Sequence, residues 1–400
     1  MPPRVLHYSD LENVYDTPDR VARLAGLLDA RRDAETLVAG SGDDTAPGVL
    51  SLVSDGRQSL DFFETVSPHV DTVGNHDLDN GVDALADIVA DSPQQWVLSN
   101  VTVDGDPLLA GAGVEPTTTV GLDGSTVGIV GVLSPETPSM TPGTDHLDFA
   151  DPVDTVERDE RELREAGAGY VLALAHTSDE DAEAIARETG VDAVLAGHSH
   201  EPRTAVLDGT VLSRPGATGR SVAELDLGRG DVRLHETADA ASDGTADADP
   251  DERVRAALDA RMAEAGLNEV VDRVDEPLAR DRAARRAGEW RLGNLVADAY
   301  RWKTGADAAL QNAGGLREGP PLSGAVTVGD LVGVSPFDEP VVVAAVSGRE
   351  LEAIAREADG RRVDGLPDRW WGHVSGLRIG LDGRAGGTGG NASAPAADDY

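Results

Sequence analysis

Residues 170–200 read YVLALAHTSDEDAEAIARETGVDAVLAGHSH. Two apolar runs, 170–175 and 191–196, each stop at histidine: the first at His176, the second at Gly197-His198-Ser199-His200. A short apolar run closed by a polar turn reads as a strand, and open α/β sheets bind ligands beyond the carboxyl ends of their strands. The same rhythm runs through the first 235 residues, with strand-like stretches at 4–7, 36–39, 72–73, 97–98 and 127–132. Between them, 18–30, 58–66, 82–90 and 153–166 carry apolar residues at helical spacing. The alternation predicts a layered α/β domain.

With 400 residues the chain is too long for one ordinary core, so two domains are expected. Residues 236–252, ETADAASDGTADADPDE, are small, acidic and without apolar period, which marks a linker. A helical stretch follows at 253–265. A second α/β region then begins near Arg285, with strand-like runs at 308–311, 341–346 and 377–379. The expected division is a catalytic domain over 1–240, a linker with a hinge helix over 241–265, a substrate-binding domain over 266–382, and a flexible Gly/Ala/Ser-rich tail over 383–400.

Charge limits the choice of partner. The formal net charge is -39, from 73 acidic against 34 basic residues, and Lys303 is the single lysine. Such a chain repels a nucleic-acid backbone. Its 40% hydrophobic content and clear periodicity argue for a folded protein with the carboxylates on the surface. This composition suits concentrated salt, which screens repulsion over about 3 Å at 1 M, and reads as halophilic, as in a halophilic archaeon. The plainer alternative is an acidic protein of a dilute compartment. Without cysteine there are neither disulfides nor thiolate ligands, so a metal must be held by His, Asp, Glu or Asn. Neither a signal-like h-region nor a membrane-length apolar stretch is found, which points to a cytoplasmic protein without a membrane partner.

Five strand ends offer oxygen or imidazole ligands: Asp10 and Glu12, then Asp43 and Asp44, then Gly74-Asn75-His76-Asp77, then His176, then His198 and His200. Singly, Gly-Asp is an ordinary turn, Asp10 a helix cap and His176 a buried core histidine. Together they are hard to explain by packing, because neutral imidazoles and carboxylates are the usual ligands of divalent metals.

This order of motifs resembles the calcineurin-like metallophosphoesterase superfamily, from Val5 to His200. The resemblance implies an α/β/β/α sandwich holding two divalent ions. Asp43 would bridge them; Asp10, Glu12 and His200 would complete the first site, and Asn75, His176 and His198 the second. Glu12 stands where the family usually has histidine. A carboxylate is a harder ligand than imidazole, so within the Mn/Mg/Co/Zn class the balance tilts to Mn²⁺ or Mg²⁺. The implied chemistry is hydrolysis of a phosphate ester, with ions about 3.5–4 Å apart generating the attacking hydroxide for in-line displacement. His76 matches the family's non-ligand histidine, which donates to the phosphoryl or leaving oxygen, and Asp79 would orient it.

The second region contains RRAGEWRLGNLVADA at 285–299 and QNAGGLR at 311–317, then Val328-Gly329-Asp330 and Ser335-Pro336-Phe337. It resembles the smaller α/β C-terminal domain of the 5′-nucleotidases. By that resemblance Arg286 and Arg317 would grip a phosphate, Asn312 would contact the nucleoside and Phe337 would stack on the base, roles that suit a guanidinium and an aromatic face. The family's second aromatic has no counterpart here; Trp370 and Trp371 stand out of place for it. The expected substrate is a small nucleotide: a nucleoside 5′-monophosphate, a nucleotide sugar or a cyclic nucleotide. A nuclease, and a non-catalytic metal- or nucleotide-binding protein, remain as alternatives.

Overall fold

The computed structural model describes residues 2–122, 124–237, 248–337, 340–359 and 371–379. The tail expected over 383–400, most of the acidic linker and Trp370 lie outside the described residues. The chain forms two compact units, Met1–Ala265 and Gly266–Tyr400.

In the first unit the β-branched runs become parallel strands of two sheets. One has seven strands: Arg4–Tyr8, Thr36–Gly40, Val70–Thr72, Gln95–Val97 and Val114–Glu115 run parallel. The antiparallel pair Ser221–Asp226 and Asp231–Glu236 continues the sheet beyond Arg4–Tyr8. The other has six strands, with Ser125–Leu133, Tyr170–His176, Ala193–Ala196 and Thr210–Arg214 parallel at its centre. Strands buried on both faces read as near-continuous apolar runs, and Val171 to Ala175 are fully buried.

Val5, Leu37, Val70 and Val97 from one sheet pack on Ile129, Leu172, Leu174 and Leu195 from the other. At Gly131 the two sheets are so close that a Cβ would overlap the backbone of Val97. Outside this double sheet, Pro152–Glu165 and Asp179–Glu188 cover the six-stranded sheet through Val156, Leu163, Ala182 and Ile185. Asp151 caps the first of these helices, with Pro152 at its first turn. On the opposite side Ser59–Val66 sets Phe62 against Tyr8 and Phe63 against Trp96, edge to face. The result is the α/β/β/α sandwich.

The helix that the sequence suggests as a hinge spans Glu252–Glu264 and is capped by Asp251. It packs on Pro18–Arg31 and Ser59–Val66, buries Val254 and Leu258, and pairs Arg261 with Asp61. It thus belongs to the outer layer of the first unit, and the division between units falls after it.

The second unit pairs Val270–Leu278 with Leu322–Thr327 and Ala309–Asn312 with Gly372–Ser375, all antiparallel. Helix Arg291–Thr304 lies on the second pair, and Leu278, Trp290, Leu292, Leu316, Leu322, Val326 and Val334 form a small core. Two expected strands differ. Residues 341–346 are irregular, with Val342 81% exposed and without a ladder partner among the described residues. The strand expected at 377–379 lies earlier, at Gly372–Ser375. A β-branched, apolar composition alone does not supply the neighbouring strand that a ladder requires. No helix among the described residues is long and apolar enough to cross a membrane.

Candidate metal centre

The carboxyl ends of the parallel strands in the two sheets bring the sequence's polar clusters together. Four of the residues concerned turn the backbone into the left-handed region: Asp10 (φ 51°), Glu12 (φ 47°), Asp43 (φ 57°) and His198 (φ 71°). Such a conformation costs on the order of 1–3 kcal/mol outside glycine and persists only where the surroundings enforce it. Here the Asp10 N–H donates to Gly42 O and the Glu12 N–H to Asp43 O, each at 3.0 Å. The His198 N–H donates to Asp10 Oδ1, also at 3.0 Å.

Asp43 is common to two groups whose ligand atoms lie within 4.8 Å of one another, Asp43 with His176 and His198, and Asp43 with Glu12 and His76. His176 Nε2 is 3.0 Å from Asp43 Oδ2. His200 Nε2 lies 3.1 Å from Glu12 Oε1 and 3.8 Å from Asp10 Oδ1. His198 Nδ1 is 3.0 Å from Asn75 Oδ1, and the His176 and His198 rings meet edge to face at 5.2 Å. Glu12 Oε1 and His176 Nε2 are buried and close to another candidate ligand atom, yet out of line for a hydrogen bond. Atoms that share a cation are placed this way. The donor set of carboxylate, amide oxygen and imidazole, without sulfur, fits divalent ions of the harder kind. The structure therefore gathers Asp10, Glu12, Asp43, Asn75, His176, His198 and His200 in one place.

Electrostatics follow from this crowding. Burial opposes a charged His176, but the Asp43 carboxylate outweighs it and raises the imidazole to about 10. His76 rises to about 9 against burial, through Asp43 and its hydrogen bond to Asp79. His198 falls to about 4 by burial and the neighbouring His176. Burial pushes Asp10 up to about 7. His76 Nδ1 is 2.7 Å from Asp79 Oδ2, and its backbone N–H donates to Asp43 Oδ1 at 2.7 Å.

Several supporting residues escape a sequence reading. Asp77 accepts from the N–H groups of Asp43, Asp44, Thr45 and Gly74 and from the Thr45 hydroxyl, at 2.7 to 3.0 Å. It clamps the loop of Asp43 onto the loop of Asn75; its place in Asn-His-Asp is the only signal of it in the chain. Arg214, buried on Thr210–Arg214, pairs with Asp179 at 2.7 Å and donates to Ser199 O, bracing the turn between His198 and His200.

Within the second unit, Arg317 lies 4.9 Å over the Phe337 ring, and its N–H donates to Val334 O. Asn312 Oδ1 accepts from the Gly315 N–H at 3.0 Å, so this side chain shapes the Asn-Ala-Gly-Gly turn. Arg286 lies 4.6 Å over the Trp371 ring.

A double sheet between helices, with a shared carboxylate and histidines gathered at its strand ends, defines a metallophosphoesterase architecture. The chain belongs to the calcineurin-like phosphoesterase family, whose model matches residues 3–202, and residues 270–389 match the 5′-nucleotidase C-terminal domain. It is similar to the endonuclease YhcR of Bacillus subtilis, 26% identical over 338 residues, which cover 76% of this chain and 27% of that one. It is also similar to the trifunctional nucleotide phosphoesterase protein YfkN of Bacillus subtilis, 24% identical over 396 residues, covering 87% of this chain and 27% of that one. The match thus spans 27% of the length of each of these relatives. The solved 5′-nucleotidase precursor from Thermus thermophilus shares the fold, with a TM-score of 0.74 at 24% identity over 95% of this chain and 82% of that one.

Proposed function

We propose that the chain hydrolyses the phosphoester of a small nucleotide, a nucleoside 5′-monophosphate or a related nucleotide sugar or cyclic nucleotide. The observation that carries the reading is Asp43, common to two ligand groups, beside a His76 held by Asp79. In this reading Asp10, Glu12, Asp43 and His200 hold one divalent ion, and Asp43, Asn75, His176 and His198 the other. Divalent ions held there, Mn²⁺ by preference because Glu12 stands where the family has an imidazole, would supply an activated water and offset phosphate charge. His76 delivers a proton to the departing oxygen, while Asp79 fixes its ring from 2.7 Å.

Arg286, Asn312, Arg317 and Phe337 bind the nucleotide. Arg317 already lies against the Phe337 face, so it supplies charge and a flat surface from one place. The net charge of -39 argues against a polynucleotide substrate and for a cytoplasm rich in salt. Phosphate release from AMP in high salt, with Mn²⁺, Mg²⁺, Co²⁺ or Zn²⁺ and an Asp43→Ala control, tests the proposal. Release that depends on Asp43 supports it. Absence of release with every ion leaves a metal- or nucleotide-binding protein instead.

A further inference from the structure

In the middle of the apolar double sheet sits one imidazole that the reaction does not use. His7, on Arg4–Tyr8, is fully buried, flanked in its own sheet by Ala39 and Ala223. Burial lowers its pKa to about 3, so the ring is neutral. Both ring nitrogens are nevertheless engaged. Nδ1 is 2.8 Å from Ser213 Oγ, on a strand of the opposite sheet, and Nε2 is 2.8 Å from Ser41 Oγ. Ser41 Oγ is in turn 2.8 Å from Ser9 Oγ, and Ser9 Oγ is 2.5 Å from Asp10 Oδ2.

The direction of this chain follows from its end. The Ser9 hydroxyl donates to Asp10 Oδ2, since a carboxylate that holds a cation can only accept. Ser9 then accepts from Ser41, and Ser41 accepts from His7 Nε2–H. A neutral imidazole with its proton on Nε2 must accept at Nδ1, so the Ser213 hydroxyl donates there. Every hydroxyl and both ring nitrogens are satisfied in one sense only. Ser41 also serves the other site, because its carbonyl accepts from His176 Nδ1 at 2.8 Å and leaves Nε2 facing Asp43. The packing is tight: a Cβ on Gly197 would come within 2.7 to 2.8 Å of Ser41 O, Ser9 Oγ and His176 Nδ1.

We propose that His7 is a positioning residue, which through Ser41 and Ser9 fixes the Asp10 carboxylate and thereby sets the affinity of the first metal site. His7 is not a ligand; it acts three hydrogen bonds away from the carboxylate. The outer hydrogen bonds of metal ligands typically control affinity by about 10- to 100-fold. Here the control is anchored in both sheets at once, since Ser213 and Ser41 hold the ring from opposite sides.

The inference rests on the metal-centre reading and is tested with Mn²⁺ alone on the full chain. Stepwise Mn²⁺ binding is measured by calorimetry and electron paramagnetic resonance, with Glu12→Gln and Asn75→Ala assigning each step to its site. Ser9→Ala removes one oxygen; it should weaken the first ion about 10- to 100-fold and leave the second unchanged, with Ser9→Thr restoring the wild-type value. His7→Phe should act in the same direction. Nitrogen-15 spectra of histidine-labelled protein should show His7 as the Nε2–H tautomer, constant from pH 6 to pH 9.

First-ion binding unaltered in Ser9→Ala, or a proton on Nδ1, overturns the inference. Wild-type protein that binds two ions but releases no phosphate sinks the nucleotidase reading alone. Wild-type protein that binds no Mn²⁺ sinks both.

Discussion

His76 Nδ1 stands 2.7 Å from Asp79 Oδ2, one short turn along the chain. The contact fixes the ring by its Nδ1–H and leaves Nε2 as the atom that carries the mobile proton. General acid catalysis by a positioned side chain contributes typically about 10²- to 10⁴-fold. His76→Ala should slow nucleotide turnover within that range while retaining both ions, and Asp79→Asn should have a smaller effect in the same direction. Metal analysis beside the kinetics decides the matter: loss of ions from His76→Ala would make it a ligand, as its closeness to Glu12 and Asp43 allows.

Asp77 is a stability residue. Each buried donor left unpaired costs about 1–3 kcal/mol, and Asp77 serves the N–H groups of Asp43, Asp44, Thr45 and Gly74. Asp77→Ala should therefore lower the unfolding free energy by at least about 3 kcal/mol, measured from urea midpoints of chelated protein. An unchanged midpoint would show that Asp77 does not hold the two loops together.

The paired imidazoles give the chelated protein a particular pH dependence. His76 and His176 titrate at about 9 and about 10 when folded, against 6.5 for an ordinary histidine. Their contribution is fully present below pH 6.5 and is lost as pH rises through 9 and 10. Chelated wild type should lose stability between pH 7 and pH 10, and Asp43→Asn, which removes the charge responsible, should lose much less. Mn²⁺ added near pH 7 should release protons, because the ion displaces the proton of the ligand His176. Parallel pH curves for the two proteins would contradict the assignment.

Gly197 has no room for a methyl group beside Ser41 O, Ser9 Oγ and His176 Nδ1. Gly197→Ala should displace His176 and reduce occupancy of the second site, read as metal content after dialysis. Full retention of two ions would show that the surrounding chain yields more easily than its packing implies.

In the second unit, Phe337→Leu should raise KM for AMP several-fold with little change in kcat, since it removes only the flat face beside Arg317. A fall in kcat at constant KM would place Phe337 outside the nucleotide contact.

The candidate ligands were legible because each belongs to a strand end, where residue type and the preceding apolar run are both local. The layered α/β domain followed from the same rhythm, the double sheet from the resemblance, and the helix read at 153–166 begins one residue earlier, at Pro152. What escaped the sequence is the set of partners. His7 reads as one more residue of an apolar strand, and its partner Ser213 is 206 positions away. Asp77 reads as part of a turn, yet its donors lie mostly 32 to 34 residues earlier. Residues 341–346 show the converse: β-branched composition promised a strand, but a ladder needs a neighbour, which composition does not specify.

The left-handed turns at Asp10, Glu12, Asp43 and His198 also restrict which substitutions this chain can accept over time. Asparagine enters that backbone region readily, whereas valine, isoleucine and threonine do so at a steep cost. Drift at these four places should therefore pass through asparagine or glycine, and a lineage that lost its ions would still bear the shape of the bends that held them.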